Sequence, residues 1–191
     1  MPVDLELFKR VVGSFPAGVA VLTARGADGQ CRGLTSNAIC SVSASPPQLL
    51  VCVDKRSKTL LSIRGARSFV VNFLAAGREA ISERFASMHP DKLAGVSWEP
   101  SRVAGGAPIL VDDVVAVAEC LVTQEIDAGD HMIVVGAIEA GAVHDRVPLM
   151  YYRRAYASWP RPELALAAMG AAAVGAASHD AADWAFHWDF H

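Results

Sequence analysis

The feature that most limits what this chain can fold into is a close succession of short β-branched and apolar runs, with only brief helical stretches between them. Residues 18–23, 48–53, 68–73, 114–126, 131–140 and 149–153 read as strands, and residues 31–42 read as one strand returning beside the first. A doubly wound parallel sheet needs a helix after nearly every strand, and this spacing does not supply them. The pattern predicts a mainly β protein, a closed antiparallel barrel with short peripheral helices.

The punctuation fits that reading. Residues 25–30 and 127–130 carry turn chemistry and each joins two strands as a hairpin. Pro46 and Pro47 force an extended break, after which residues 48–53 are almost continuously apolar, as in a strand buried on both faces or at an interface. Asp4 can cap a helix in which Leu5, Phe8, Val11 and Val12 recur at helical spacing until Gly13 and Pro16 stop it; this helix is expected to cover one end of the barrel. Residues 57–64 and 78–86 read as two further short helices. Residues 89–106, with Pro90, Pro100 and paired glycines, read as a loop able to cover a ligand. From Pro160 the composition turns to Ala and Gly and ends in an aromatic run, so residues 1–159 are expected to form one domain and residues 160–191 an extension.

Charge and composition narrow the partners. The chain carries 17 Lys and Arg against 20 Asp and Glu, a formal charge of −3, with no run of more than two basic neighbours. Phosphate backbones need concentrated positive charge, so nucleic acid is not an expected partner. A hydrophobic content of 52% is more than one isolated barrel of 191 residues can hide, which points to a subunit interface. The N-terminus has no basic-then-apolar leader, and no apolar run reaches the roughly 18 residues that span a membrane, so a cytoplasmic protein is expected. Cys31, Cys40, Cys52 and Cys120 are irregularly spaced with no Cys-x-x-Cys pair, and read as reduced core residues. His187 and His191 share a helical face and form a conceivable metal pair, but Trp184, Phe186, Trp188 and Phe190 around them suit an apolar contact better; no metal site is assigned.

Common catalytic signatures are missing. There is no Walker loop, no Gly-x-Ser-x-Gly elbow, no His-Glu-x-x-His and no Gly-x-Gly-x-x-Gly after a strand. An enzyme without nucleophile or metal can still act by holding a cofactor that carries the reaction. Residues 33–38 (Gly-Leu-Thr-Ser-Asn-Ala) are the best local candidate, because small, hydroxyl and amide side chains let a flat heterocycle approach and hydrogen-bond its polar edge. The plainer reading, ordinary polar residues on a half-exposed strand, stands beside it. Residues 55–59 (Lys-Arg-Ser-Lys-Thr) place cations and hydroxyls at a helix start, a setting that suits a phosphate and equally suits a solvated turn.

Several ordered pieces then make a pattern: Phe15 to Thr23, Gly33 to Asn37, Ser41-Val-Ser43 before Pro46-Pro47, Arg56 to Thr59, Phe69 to Asn72, Glu83 to Ala86, Asp91-Lys92 with Gly95, and Gly129-Asp-His131. In their order and spacing, from about Leu5 to Tyr156, the chain resembles the short-chain flavin reductases of two-component flavin-dependent monooxygenases. That family has the FMN-binding split β-barrel, a Greek-key antiparallel fold. The resemblance implies a homodimer with FMN or FAD in a groove near the subunit interface and NADH or NADPH as hydride donor. It implies cofactor contacts from Thr35, Ser36, Asn37 and Ala38 and from Cys52, Val53 and Asp54, a phosphate site at Ser57, Lys58 and Thr59, and a slot closed by Arg84 and Phe85. His131 would sit beside the nicotinamide.

The implied reaction is direct hydride transfer from nicotinamide C4 to flavin N5, with the reduced flavin supplied to a separate monooxygenase. In this family a Ser and an aromatic residue often follow the Asn of the strand motif. Here Ala38 and Ile39 stand instead, removing a hydroxyl and a ring beside the expected cofactor. Two other readings stay open: a split-barrel flavoprotein that keeps its flavin for chemistry on an organic substrate, and a non-catalytic flavin-binding module.

Overall fold

In the computed structural model, which describes residues 2–159, Asp4 accepts the Leu7 N–H at 2.7 Å and starts helix α1 (Leu5–Val12). Strands β1 (Ala17–Gly18), β2 (Ala20–Arg25), β3 (Cys31–Ser36), β4 (Ile39–Ala44) and β5 (Pro47–Asp54) follow, then helix α2 (Lys58–Ala66), β6 (Ser68–Leu74) and helix α3 (Glu79–Ala86). Two short strands, β7 (Glu99–Pro100) and β8 (Pro108–Ile109), precede the long pair β9 (Val114–Ala128) and β10 (His131–Val143), and β11 (Leu149–Tyr152) and β12 (Ala155–Ser158) close the described chain. The aromatic and histidine residues of the tail lie outside the described residues.

Seven strands form one sheet in the order β3-β2-β6-β9-β10-β5-β4, and every pairing in it is antiparallel. Its two edges, β3 and β4, are consecutive in the chain, so the barrel is split at the link between them. Period-two alternation along β2 builds two apolar clusters at once: Ala20, Leu22 and Ala24 face one with Val51, Leu60, Ile63, Phe69 and Val134, while Val19 and Val21 face the other with Val70, Leu74, Phe85, Leu110 and Leu149. Burying each large aliphatic or aromatic side chain contributes about 1.5–3 kcal/mol, and the central strand β6 adds Phe69, Val70, Val71 and Leu74 to these two clusters.

Several expectations are corrected. Residues 31–42 are two strands, not one. Ser36 Oγ accepts the Ala38 N–H at 3.1 Å, a local bond that competes with the ladder, and the chain then leaves β2 for β5. The last strand is one half of a hairpin whose other half, β12, has no turn signal in the sequence. Arg153 and Arg154 occupy the turn at φ 47° and 66°, where Asn or Gly is usual. Among the described residues helix α1 buries none of its apolar side chains: Leu5, Phe8, Val11 and Val12 are between 53% and 64% exposed, and Leu149, Tyr151 and Tyr156 of the hairpin pack in or against the second cluster. Strand β5 alternates, with Leu49, Val51 and Val53 buried and Leu50, Cys52 and Asp54 half-buried. Of the four free cysteines only Cys120 is buried; Cys31 and Cys52 are half-buried and Cys40 is exposed on the edge strand, whose outer face no element covers.

One buried polar side chain ties the second cluster to the sheet. The Asn72 amide donates to the Val21 carbonyl (3.2 Å), Thr23 Oγ1 (3.2 Å) and the Pro108 carbonyl (3.3 Å), and its oxygen accepts the Leu110 N–H at 2.8 Å. Removing it cuts the tie between β2 and residues 108–110 and orphans the Leu110 N–H. Asn72→Ala is expected to lower the unfolding free energy by about 2–4 kcal/mol in urea titrations; an unchanged midpoint contradicts this role.

Candidate functional site

The gap between the edge strands is where most of the residues singled out in the sequence meet. Asn37 and Ala38 cross it, both exposed. The Ala38 carbonyl accepts the Cys52 N–H at 3.0 Å, which brings the end of β5 against the link. Thr35 Oγ1 donates to the Ser82 carbonyl of α3. Beyond Cys52, Asp54 binds Arg56 through the main-chain N–H at 2.8 Å and the guanidinium at 2.7 Å and 3.1 Å. The guanidinium hydrogen bond chiefly, with the N–H behind it, holds the Asp54 carboxyl well below the usual carboxylate range. Ser57 caps α2 by accepting the Thr59 N–H at 3.1 Å. Lys58 is exposed on the first turn of α2, where unpaired N–H groups and the helix dipole also favour an anion.

The turn between β9 and β10 completes the group. Gly129, at φ 64°, lets the chain reverse there. Strand register sets His131 opposite Asp54. Lys55 fastens the two corners together: its N–H donates to the Asp130 carbonyl at 3.1 Å, and its ammonium reaches the Gly129 carbonyl at 2.6 Å and the Asp127 carboxylate at 2.7 Å. His131 Nδ1 lies 2.7 Å from Asp130 Oδ1, and that hydrogen bond holds the Asp130 carboxyl below its ordinary range. The result is one continuous surface. It has small or flat outward groups at Ala38 and Cys52, an amide at Asn37, and a cation at Lys58, which suits a flat heterocycle bearing a phosphate.

Not every residue singled out reaches that surface. Phe85 is 1% exposed, and a Cβ added at Gly33 would come within 2.6 Å of its ring. The glycine exists so that Phe85 can fill the core directly behind β3, which leaves no ring surface to close a slot. Val53 at 1% and Thr59 at 4% exposure likewise turn their side chains inward and offer only main-chain groups. Arg84 donates to the Ala94 carbonyl and braces the following loop. Ile39 packs against the first cluster, so the residue type there governs core filling, and the outer surface loses only the hydroxyl that Ala38 lacks.

Sequence reading assigned no role to Ser82 or Tyr156, took Lys55 only as one of the cations at a helix start, and quoted Lys92 only as part of a motif. The Lys92 ammonium, pushed below its ordinary value by burial, donates to the Gly33 carbonyl at 3.2 Å and the Phe85 carbonyl at 2.7 Å. The hydrogen-bond partners of Lys55, Ser82 and Tyr156 named here lie 47 to 75 positions away along the chain, so no local spacing could have signalled them. Elsewhere, an open depression of about 620 Å³ between α1 and the β11–β12 turn is lined by Glu6, Lys9, Arg10, Arg153 and Arg154 and contains none of these residues. Among the described residues no three His, Cys, Asp or Glu side chains are grouped to hold a metal ion, and no helix is long and apolar enough to cross a membrane.

Burial pushes the Cys52 thiol up, and pushes Cys120 from 9.0 up to about 12. The native state therefore keeps the Cys120 proton where the unfolded chain gives it up. That contribution to stability is complete below pH 9.0 and is lost as pH climbs toward about 12. Near neutral pH, iodoacetamide is expected to label exposed Cys40 first and Cys120 only after denaturation. Peptide mass spectrometry reads this order, and rapid labelling of native Cys120 contradicts it.

Residues 12–160 match the family described as flavin reductase like domain. The flavin reductase (NADH) of Kitasatospora aureofaciens is 48% identical over 163 residues, 84% of this chain and 85% of that protein. The reductase subunit HsaB of a Mycobacterium tuberculosis flavin-dependent monooxygenase is 35% identical over 81% of this chain and 82% of its own length. Among solved structures, the NADH:FAD oxidoreductase SgcE6 of Streptomyces globisporus C-1027, in complex with NAD and FAD fragments, superposes with a TM-score of 0.77 at 30% identity, covering 85% of this chain and 98% of that one. The nitrilotriacetate monooxygenase component B homologue from Mycobacterium thermoresistibile gives 0.77 at 34% identity, over 84% and 88%. The split at the edge strands is thus a shared architecture, and the chain belongs to the flavin reductase-like domain family.

Proposed function

We propose that this chain is a cytoplasmic NAD(P)H-dependent flavin reductase, with residues 1–159 as the reductase domain, that supplies reduced FMN or FAD to a separate monooxygenase. The observation that carries the reading is the convergence of the Thr35–Ala38 link, the Cys52–Thr59 corner and His131 on one surface, in a chain of this family. The relatives described as reductase subunits of monooxygenases support the partner.

Bound flavin supplies the chemistry of accepting a hydride from the nicotinamide. The chain's own groups position and shield. The Asn37 side chain would hydrogen-bond the polar edge of the ring, the Ala38 N–H being given to Ser36 Oγ, and small Ala38 and Cys52 would leave room for it. Lys58 and the start of α2 hold the phosphate. His131, fixed by Asp130, would hold the nicotinamide beside the flavin, which would convert a bimolecular encounter into an oriented one.

The groove needs a second wall, and we infer that a second copy of the chain provides it. The uncovered apolar residues of α1 and the half-buried outer row of Leu50, Cys52 and Ile133 support a homodimer. Light scattering during gel filtration is expected to give twice the chain mass; a monomer at micromolar concentration contradicts the shared groove.

Purified protein given NADH or NADPH with FMN or FAD is expected to consume nicotinamide absorbance, and His131→Ala to lose about tenfold in kcat/KM for the nicotinamide while KM for flavin stays near wild type. No turnover with any of the four pairs overturns the reading. Flavin that survives gel filtration in stoichiometric amount, without free-flavin turnover, points instead to a flavoprotein that keeps its cofactor.

A further inference from the structure

Helix α3 stands between the cofactor link and the C-terminal hairpin, and a single buried residue touches both. Ser82 is 0% exposed. Its carbonyl accepts the Thr35 hydroxyl, and its own Oγ accepts the Tyr156 hydroxyl at 3.0 Å. The Tyr156 ring is held in turn against Tyr151, with centroids 5.2 Å apart and planes tilted by 59°. Strand β3 is secured to the same helix at two further points, the Lys92 bond to the Gly33 carbonyl and the Phe85 ring beneath Gly33.

This arrangement sets what Thr35 can do. A hydroxyl has one proton, and Thr35 gives its proton to the Ser82 carbonyl, so toward solvent its oxygen is an acceptor only and its rotamer is fixed. The fixed point lies one residue before Ser36, whose side chain shapes the crossing to Ala38. Ser82 can hold Thr35 there only while α3 keeps its own place, and the Tyr156 hydroxyl is a directional contact to α3 from the hairpin side, beside the packing of Phe85 and Ile81 in one cluster with Leu149, Tyr151 and Tyr156. Neither Ser82 nor Tyr156 lies in the segments read as contacting the cofactor.

We propose that Tyr156 is a positioning residue for the flavin: through Ser82 it fixes Thr35, and with it the Thr35–Ala38 segment that receives the ring edge. This rests on the reading of that segment as part of the flavin site. The route involves no covalent step and no proton transfer, and its effect appears in flavin affinity, not in the hydride step.

Tyr156→Phe keeps the ring and its contact with Tyr151 and removes only the hydroxyl. It is expected to raise KM for flavin about three- to tenfold, the effect of one buried hydrogen bond, with kcat within about twofold and KM for the nicotinamide unchanged. Ser82→Ala is expected to match it. Thr35→Val is expected to give a similar rise and Thr35→Ser to restore the wild-type value, while the Tyr156→Phe, Thr35→Val pair is no worse than the larger single change, because both act along one route. Lys58→Ala serves as the internal reference for the site. If Lys58→Ala raises KM for flavin but Tyr156→Phe and Ser82→Ala lower only the melting temperature, the positioning role is overturned and the site reading stands. If none of Tyr156→Phe, Ser82→Ala, Thr35→Val and Lys58→Ala moves KM for flavin, both fall.

Discussion

The rest of this structure depends on one exchange of partners, at Asn37 and Ala38. Up to Ser36 the chain pairs with β2, and from Ile39 it pairs with β5. The hydrogen bond from the Cys52 N–H to the Ala38 carbonyl fixes the crossing. An open seven-stranded sheet would expose two long edges, each a template for aggregation. Joining those edges by two residues curls the sheet into a split barrel instead. It also leaves, at the split, a short stretch of backbone outside both ladders, with the polar side chains of Ser36 and Asn37 beside it.

Around that crossing the structure invests in rigidity. Lys55 fastens the β5–α2 corner to the β9–β10 turn, Lys92 fastens β3 to the end of α3, and Ser82 fastens Thr35 from behind. In each case a charged or hydroxyl side chain, Lys55, Lys92 or Thr35, gives a proton to a main-chain carbonyl, an arrangement that tolerates partial burial because the polar group is paired. Ring-to-ring hydride transfer asks for this kind of support, since its rate depends on the distance and angle between two flat molecules more than on any acid or base.

Much of this was legible in the sequence, and the failures have physical causes. Strand alternation, proline breaks and turn chemistry located most of the sheet, because β2, β5, β6, β9 and β10 each bury one or both faces and so carry periodicity. The crossing at Asn37 was invisible because a change of partner leaves side-chain alternation intact. The hairpin of β11 and β12 was half missed because two arginines occupy a turn where Asn or Gly is usual. Within the candidate site, ordered motifs named the link, the corner and His131, which the fold brings together. The same motifs named Phe85, Val53 and Thr59, whose side chains serve the core, since motif residues are retained for packing as readily as for ligands. Ser82 and Tyr156 left no local trace, for their contacts span 47 and 74 positions.

The central claim is that the flavin edge lies along the split between β3 and β4. Amide hydrogen exchange with and without added FMN or FAD tests it most directly. The account predicts slowed exchange at residues 35–38 and 52–59 when flavin is added, with the depression between α1 and the β11–β12 turn unchanged. Protection confined to that depression, or none at residues 35–38 at saturating flavin, would contradict it.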